Sequence, residues 1–96
     1  MALQLPQRLT HDQARACSAA LIAQMTAQGT KATVLDASAL QVFDSSALAV
    51  ILSLRRAAGA AGGSLLLQGL PVRLQSLARL YGIDTLIEDP AASGAA

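Results

Sequence analysis

The side chains best placed to do chemistry stand in one run, Asp44-Ser45-Ser46. A carboxylate and two hydroxyls open a pattern, Ala47 to Leu54, that is apolar except at Ser53. Residues of this kind at a helix start have two uses. One is capping, because Asp and Ser oxygens accept hydrogen bonds from the first unpaired backbone N–H groups. A cap needs only one such residue. If Asp44 or Ser45 caps, Ser46 falls in the first turn with its hydroxyl left over. The other use is modification. A phosphate on Ser46 or Ser45 would sit at the positive end of the helix, where an anion is favoured, and beside Asp44 it would repel an acidic partner. Both serines are therefore candidate phosphorylation sites, and modification here could switch binding without refolding the domain.

No competing site is visible elsewhere. The turn Gly59 to Ser64 lacks the lysine of a phosphate-binding GxxxxGK[ST] loop. Neither serine sits in a GxSxG elbow, and the lone His11 has no catalytic partner nearby in sequence. It is expected to be a solvated residue in a first helical turn. Cys17, among alanines in a helical pattern, is expected to be a buried, inert thiol. As the sole cysteine it allows no internal disulfide and fits a reducing compartment. One His and one Cys cannot supply a metal cluster. No catalytic, cofactor-binding or metal residue is expected, and the chain is not expected to be an enzyme. Arg55, Arg56, Arg73 and Arg79 are solvated helix residues by default, with an acidic protein partner as the other reading.

Composition agrees. The chain has 96 residues, 53% hydrophobic but only 2% aromatic, so the core must be built from Leu, Ala, Val and Ile. Seven basic against six acidic side chains leave no broad footprint for nucleic acid. The longest apolar run, Ala47 to Leu52, is far short of the ~20 residues that cross a bilayer, so no direct membrane insertion is expected. The opening MALQLPQRLTHDQ has no signal-like apolar stretch. A cytoplasmic protein is expected. With so few charges to cover it, some of its apolar surface is expected to need a partner.

The elements that must position the run follow from periodicity. Leu3 to Leu5 is a short edge strand stopped by Pro6. Thr10 and Gln13 form a capping box that opens a helix to about Gln28, with Ala14, Cys17, Leu21, Ile22 and Met25 as its apolar stripe and Gly29 as its end. Thr33-Val34-Leu35 is a central strand covered on both faces. Asp36-Ala37-Ser38 turns, and Leu40, Val42 and Phe43 pin that turn to the core. A helix from Ser45 to about Ala60 is followed by the buried strand Ser64 to Gln68. Pro71 then starts a helix from Val72 to about Tyr81, with Leu74, Leu77, Ala78 and Tyr81 inward and Gly82 at its end. Leu86-Ile87 could add a last strand. The expected fold is α/β, β-α-β-α-β-α with a final β optional, on a small, mostly parallel sheet. Residues 1–89 would form the domain and 90–96 a disordered tail.

Two stretches, Val34-Leu35-Asp36-Ala37-Ser38 and Phe43-Asp44-Ser45-Ser46-Ala47-Leu48, with Gly62-Gly63 and Leu65-Leu66-Leu67 behind them, resemble the STAS domain family. That family includes bacterial anti-sigma factor antagonists and the MlaB-like subunits of phospholipid-transport ABC systems. Leu67-Gln68-Gly69 and Leu77-Ala78-Arg79-Leu80-Tyr81 look most like the MlaB branch. The resemblance implies a non-enzymatic regulatory subunit without cofactors. It would bind the cytoplasmic ATPase of an ABC transporter that maintains outer-membrane lipid asymmetry, peripheral to the inner membrane through that complex. Partner-binding residues are then Asp44, Ser45, Ser46, Ala47 and Leu48. In the MlaB branch the hydroxyl at Ser45 is tied to activity. In the antagonist branch the one at Ser46 is phosphorylated, and the partner would be an anti-sigma factor kinase. The chain departs from the family at Ala47, where Gly is usual, and in a short N-terminal region where a hairpin is common.

Overall fold

The computed structural model describes residues 2–28 and 32–83. In chain order the elements are β1 (Ala2–Gln4), β2 (Arg8–Leu9), α1 (His11–Gln28), β3 (Ala32–Asp36), β4 (Val42–Phe43), α2 (Ser46–Ala60), β5 (Ser64–Gln68) and α3 (Val72–Leu80). The main sheet has the order β1-β3-β5 and is parallel throughout, and β2 pairs with β4, also parallel. This is the α/β order expected, with β2 and β4 added. The expected strand at Leu86-Ile87, the helix end at Gly29, and the boundary and tail at 89–96 lie outside the described residues.

Register explains the core. Leu3, Leu35 and Leu67 stand side by side across the three strands and are 2%, 0% and 4% exposed. Their neighbours along the strands, Ala2, Val34 and Leu66, form a row on the opposite face, as the two-residue period requires. That face is only partly covered: Val34 is half-buried and Leu66 is 47% exposed. The expectation of strands buried on both faces is corrected here. The connections β1 to β3 and β3 to β5 step across the sheet in one direction, so crossovers of the usual right hand carry α1 and α2 to the same side. The two helices indeed pack on each other, and α2 also packs on β5.

The two short strands exist because of a break. Pro6 has no N–H and interrupts the first strand. Pairing nonetheless resumes on either side: the Leu5 N–H donates to the Asp36 carbonyl at 2.9 Å, and the N–H groups of Gln41 and Val42 both donate to the Gln7 carbonyl. The N-terminal edge is therefore longer than Leu3 to Leu5. Its strands pair in parallel with β3 and β4 rather than with each other.

Each helix buries one stripe. In α1 Leu21 and Met25 are buried, while Ala14, Cys17 and Ile22 are half-buried against them. Partial burial raises the pKa of the Cys17 thiol. In α2 the buried set is Ala47, Leu48, Val50, Ile51, Leu54 and Ala58, and in α3 it is Leu74 and Ala78. Helices α2 and α3 end alike. Gly62 and Gly82 donate to carbonyls three residues back, and Gly63 and Ile83 to carbonyls five residues back, the paired bonds of a Schellman motif. Three smaller expectations are corrected. Val42 is 47% exposed and pins nothing, Tyr81 is 56% exposed just past the end of α3, and Pro71 caps α3 from outside rather than opening it.

Candidate functional site

The Asp44-Ser45-Ser46 run sits where β4 hands the chain to α2. Asp44 is the functional cap: its Oδ1 accepts the Ser46 N–H at 2.8 Å, and the Ala47 N–H reaches its carbonyl at 3.1 Å. Its other oxygen, Oδ2, accepts the His11 N–H at 3.2 Å, at the start of α1. One carboxylate thus receives free N–H groups from two helices at once, and both helix dipoles favour its negative charge. The carboxyl is held below the ordinary carboxylate value, first by the Ser46 N–H, against a smaller opposing desolvation, and then by the N–H of His11 and the side chains of Ser46 and His11.

Asp44 takes the capping role, and this separates the two serines. Ser45 has helical backbone angles, makes no side-chain cap bond and is exposed. Ser46 is half-buried, and its hydroxyl turns back toward Asp44. Ala47 and Leu48 are 0% and 2% exposed and point into the core. Their assignment as partner-binding residues is corrected: a residue with no surface cannot touch a partner without the domain opening. Ala47 is fully buried, so the core holds its methyl.

Around the run the structure gathers further residues. His11 is exposed, as expected, but its ring lies between two carboxylates, Nε2 at 3.1 Å from Asp12 and Nδ1 at 3.5 Å from Asp44. Phe43, one residue before Asp44, lies under the Arg73 guanidinium, 5.5 Å from ring centroid to charge, so the start of α3 touches the approach to α2. Ala49, one helical turn beyond Ser45, is exposed in the same line. It opens a shallow groove of about 410 Å³ between α1 and α2, lined mainly by Ala14, Ser18, Ile22, Ala49 and Ser53, with Arg15 at its side. The four-residue spacing of Ser45, Ala49 and Ser53 was the signal that could have found this groove.

The turn that follows β3 is tightly built. The Ser38 N–H bonds to Asp36 Oδ1 at 2.9 Å, and the Ser38 side chain and N–H together lower the Asp36 pKa. Gly69, at φ +67°, packs against Ser38 so closely that a Cβ there would lie 2.8 Å from the Ser38 Cβ. Among the described residues no group of His, Cys, Asp and Glu could hold a metal ion, and no helix is long and apolar enough to cross a membrane.

Comparison with known proteins adds the family. No curated protein matches the sequence. Among solved structures, the NMR structure of the protein TM1081 matches with a TM-score of 0.74 at 18% identity, over 96% of this chain and 75% of that one. At that identity the likeness speaks for the fold alone. A family model described as Mlab, STAS domain matches residues 1–88, nearly the whole chain, and the protein belongs to that family.

Proposed function

We propose that this protein is a non-enzymatic accessory subunit of a phospholipid-transport ABC system. It binds the cytoplasmic ATPase through the exposed start of α2 and the groove beside it. The observation that carries this reading is the unoccupied Ser45 hydroxyl: Asp44 supplies the cap, so Ser45 stands exposed with no structural bond to make. Ala49 continues that surface into an apolar groove with no acidic lining residue, as a contact surface for a protein would have. The identity of the ATPase and the role in lipid asymmetry rest on family membership. On this reading the protein is cytoplasmic and reaches the inner membrane only through its partner.

The alternative, an anti-sigma factor antagonist switched by a kinase at Ser46, fits the geometry less well. Ser46 is half-buried with its N–H engaged by Asp44, whereas the exposed hydroxyl belongs to Ser45.

Co-expression with the candidate ATPase, followed by ATPase assay of the purified complex, tests the proposal. A Ser45→Asp, Ala49→Glu double variant changes two exposed positions, so the fold is preserved while the surface gains two negative charges. The expected outcome is loss of the complex and of any stimulation. Full binding and stimulation by a folded double variant would sink the interface, and a phosphate adduct on Ser46 in protein from its own cells would favour the antagonist reading.

A further inference from the structure

We propose that the outward face of α3 is a second docking surface, shaped and charged for an acidic amphipathic helix of a partner protein. Val72 and Leu80 are 76% and 77% exposed, far more than the 47% of Val42 or Leu66. They lie in one line with Ser76 at four-residue spacing. With Arg73 and Leu77 they bound a shallow groove of about 320 Å³. Arg79, also exposed, stands on the other flank of the line, and no acidic residue occurs in Val72–Leu80. Arg73 is partly fixed in place over Phe43, which lowers the cost of ordering it on binding.

Charge and shape choose the occupant. A second copy packed antiparallel on this helix would set Arg73 and Arg79 against the same residues of its twin, and like charges so placed oppose association. A bilayer surface would favour bulky apolar side chains at the centre of the patch, where the small, polar Ser76 leaves a notch instead. A notch flanked by apolar residues and bordered by two arginines suits the ridge of a helix carrying Asp or Glu on both sides. The sequence had left the arginines as solvated charge or as contacts for an acidic partner. The exposed line between Arg73 and Arg79 favours the second.

The proposal is independent of the Ser45 surface. It is tested by placing a benzophenone amino acid at Ser76 in the full chain, in its own cells, and identifying the crosslinked peptide by mass spectrometry. The expected adduct is a segment of another protein with apolar residues at helical spacing and acidic residues flanking them. Its yield should fall about tenfold in an Arg73→Glu, Arg79→Glu background, where attraction becomes repulsion, and should fall also with Leu80→Ser. All these positions are exposed, and unchanged thermal melting confirms that each variant folds. An adduct to a second copy, to lipid, to residues 84–96 of the same chain or to a non-acidic segment would overturn the proposal. So would no adduct, or a yield indifferent to charge reversal. A crosslinker at Ala49 reports the α1–α2 groove separately, so the two surfaces stand or fall apart.

Discussion

Gly69 offers the sharpest test of how the turns around the sheet are held. It sits at the turn between β5 and α3 with φ +67°, in the left-handed region, which costs a residue with a Cβ ~1–2 kcal/mol. In Gly69→Ala the new Cβ would also lie 2.8 Å from the Ser38 Cβ and 3.1 Å from both its Cα and its N. The Cα and N are backbone atoms and the Cβ is bonded directly to the Cα, so none can rotate away. Relief requires moving the Ala37-Ser38 turn, which is tied by the Ala37 N–H to the Gln68 carbonyl at 2.8 Å and by the Ser38 N–H to Asp36 at 2.9 Å. Such overpacking costs about 1–3 kcal/mol. Alanine stiffens the unfolded chain and returns ~0.4–1 kcal/mol. The net expectation is a destabilisation of about 2–4 kcal/mol. For a domain of this size that lowers the melting temperature by roughly 10–25 °C, read by circular dichroism and checked by urea titration.

The partner turn supplies a control. Ser38→Gly removes the atom at 2.8 Å but leaves the Ser38 Cα and N at 3.1 Å, so it relieves part of the clash and none of the φ cost. The double variant should therefore be more stable than the sum of the two single effects allows, with a favourable coupling. A Gly69→Ala protein that melts within about 3 °C of the parent, or two substitutions that simply add, would refute the close approach.

Three further outcomes follow from the same geometry. Leu48→Ala, deep in the core, should cost about 2–5 kcal/mol in urea unfolding, and a loss below ~0.5 kcal/mol would return Leu48 to the surface. Ser45→Ala should leave stability unchanged within about 0.5 kcal/mol, since Asp44 makes the cap, and a larger loss would show that Ser45 has a structural role after all. Asp44 has its pKa lowered from 3.8 in the folded protein, so its stabilising contribution is present above that value and is lost as pH falls through the lower folded value. Thermal melts from neutral pH to below pH 3.8 should thus show a shallower acid loss for Asp44→Asn than for the parent, and parallel profiles would contradict the assignment.

The fold was largely legible because its signals are periodic or chemical. The helix starting after Thr10 was announced by the Thr10–Gln13 pair, and the Gln13 side-chain oxygen does accept the Thr10 N–H at 3.0 Å, as a capping box requires. The Asp36-Ser38 turn was likewise visible in its residue types. Coverage of the sheet was not. Leu65-Leu66-Leu67 is the same residue three times, and an unbroken apolar run cannot say which side is covered. The answer came from strand order, which puts α1 and α2 on one face. The two short strands β2 and β4 were missed because each spans two residues and depends on pairing across a proline break rather than on local pattern. At the candidate site, the run Asp44-Ser45-Ser46 was legible as a helix start, but which of its neighbours reach the surface was not, since Ala47 and Leu48 are buried. Four consecutive helical residues, at about 100° each, spread over about 300° of the helix circumference, so a run of neighbours cannot all share a face.

The shared carboxylate ties the candidate surface to the rest of the fold. Asp44 holds the N-terminus of α2 through Ser46 and that of α1 through His11, and these two helices are the walls of the apolar groove beside Ser45. The exposed hydroxyl and the groove are therefore fixed relative to each other by one residue that belongs to neither. A phosphate on Ser45 would add charge at the rim and leave both bonds to Asp44 in place. A phosphate on Ser46 would place its charge against Asp44 itself, in the half-buried space between the helix starts, and would disturb the seating of both walls. Modification of the two serines would therefore not be equivalent: on Ser45 it would alter what a partner meets, and on Ser46 the shape it is offered.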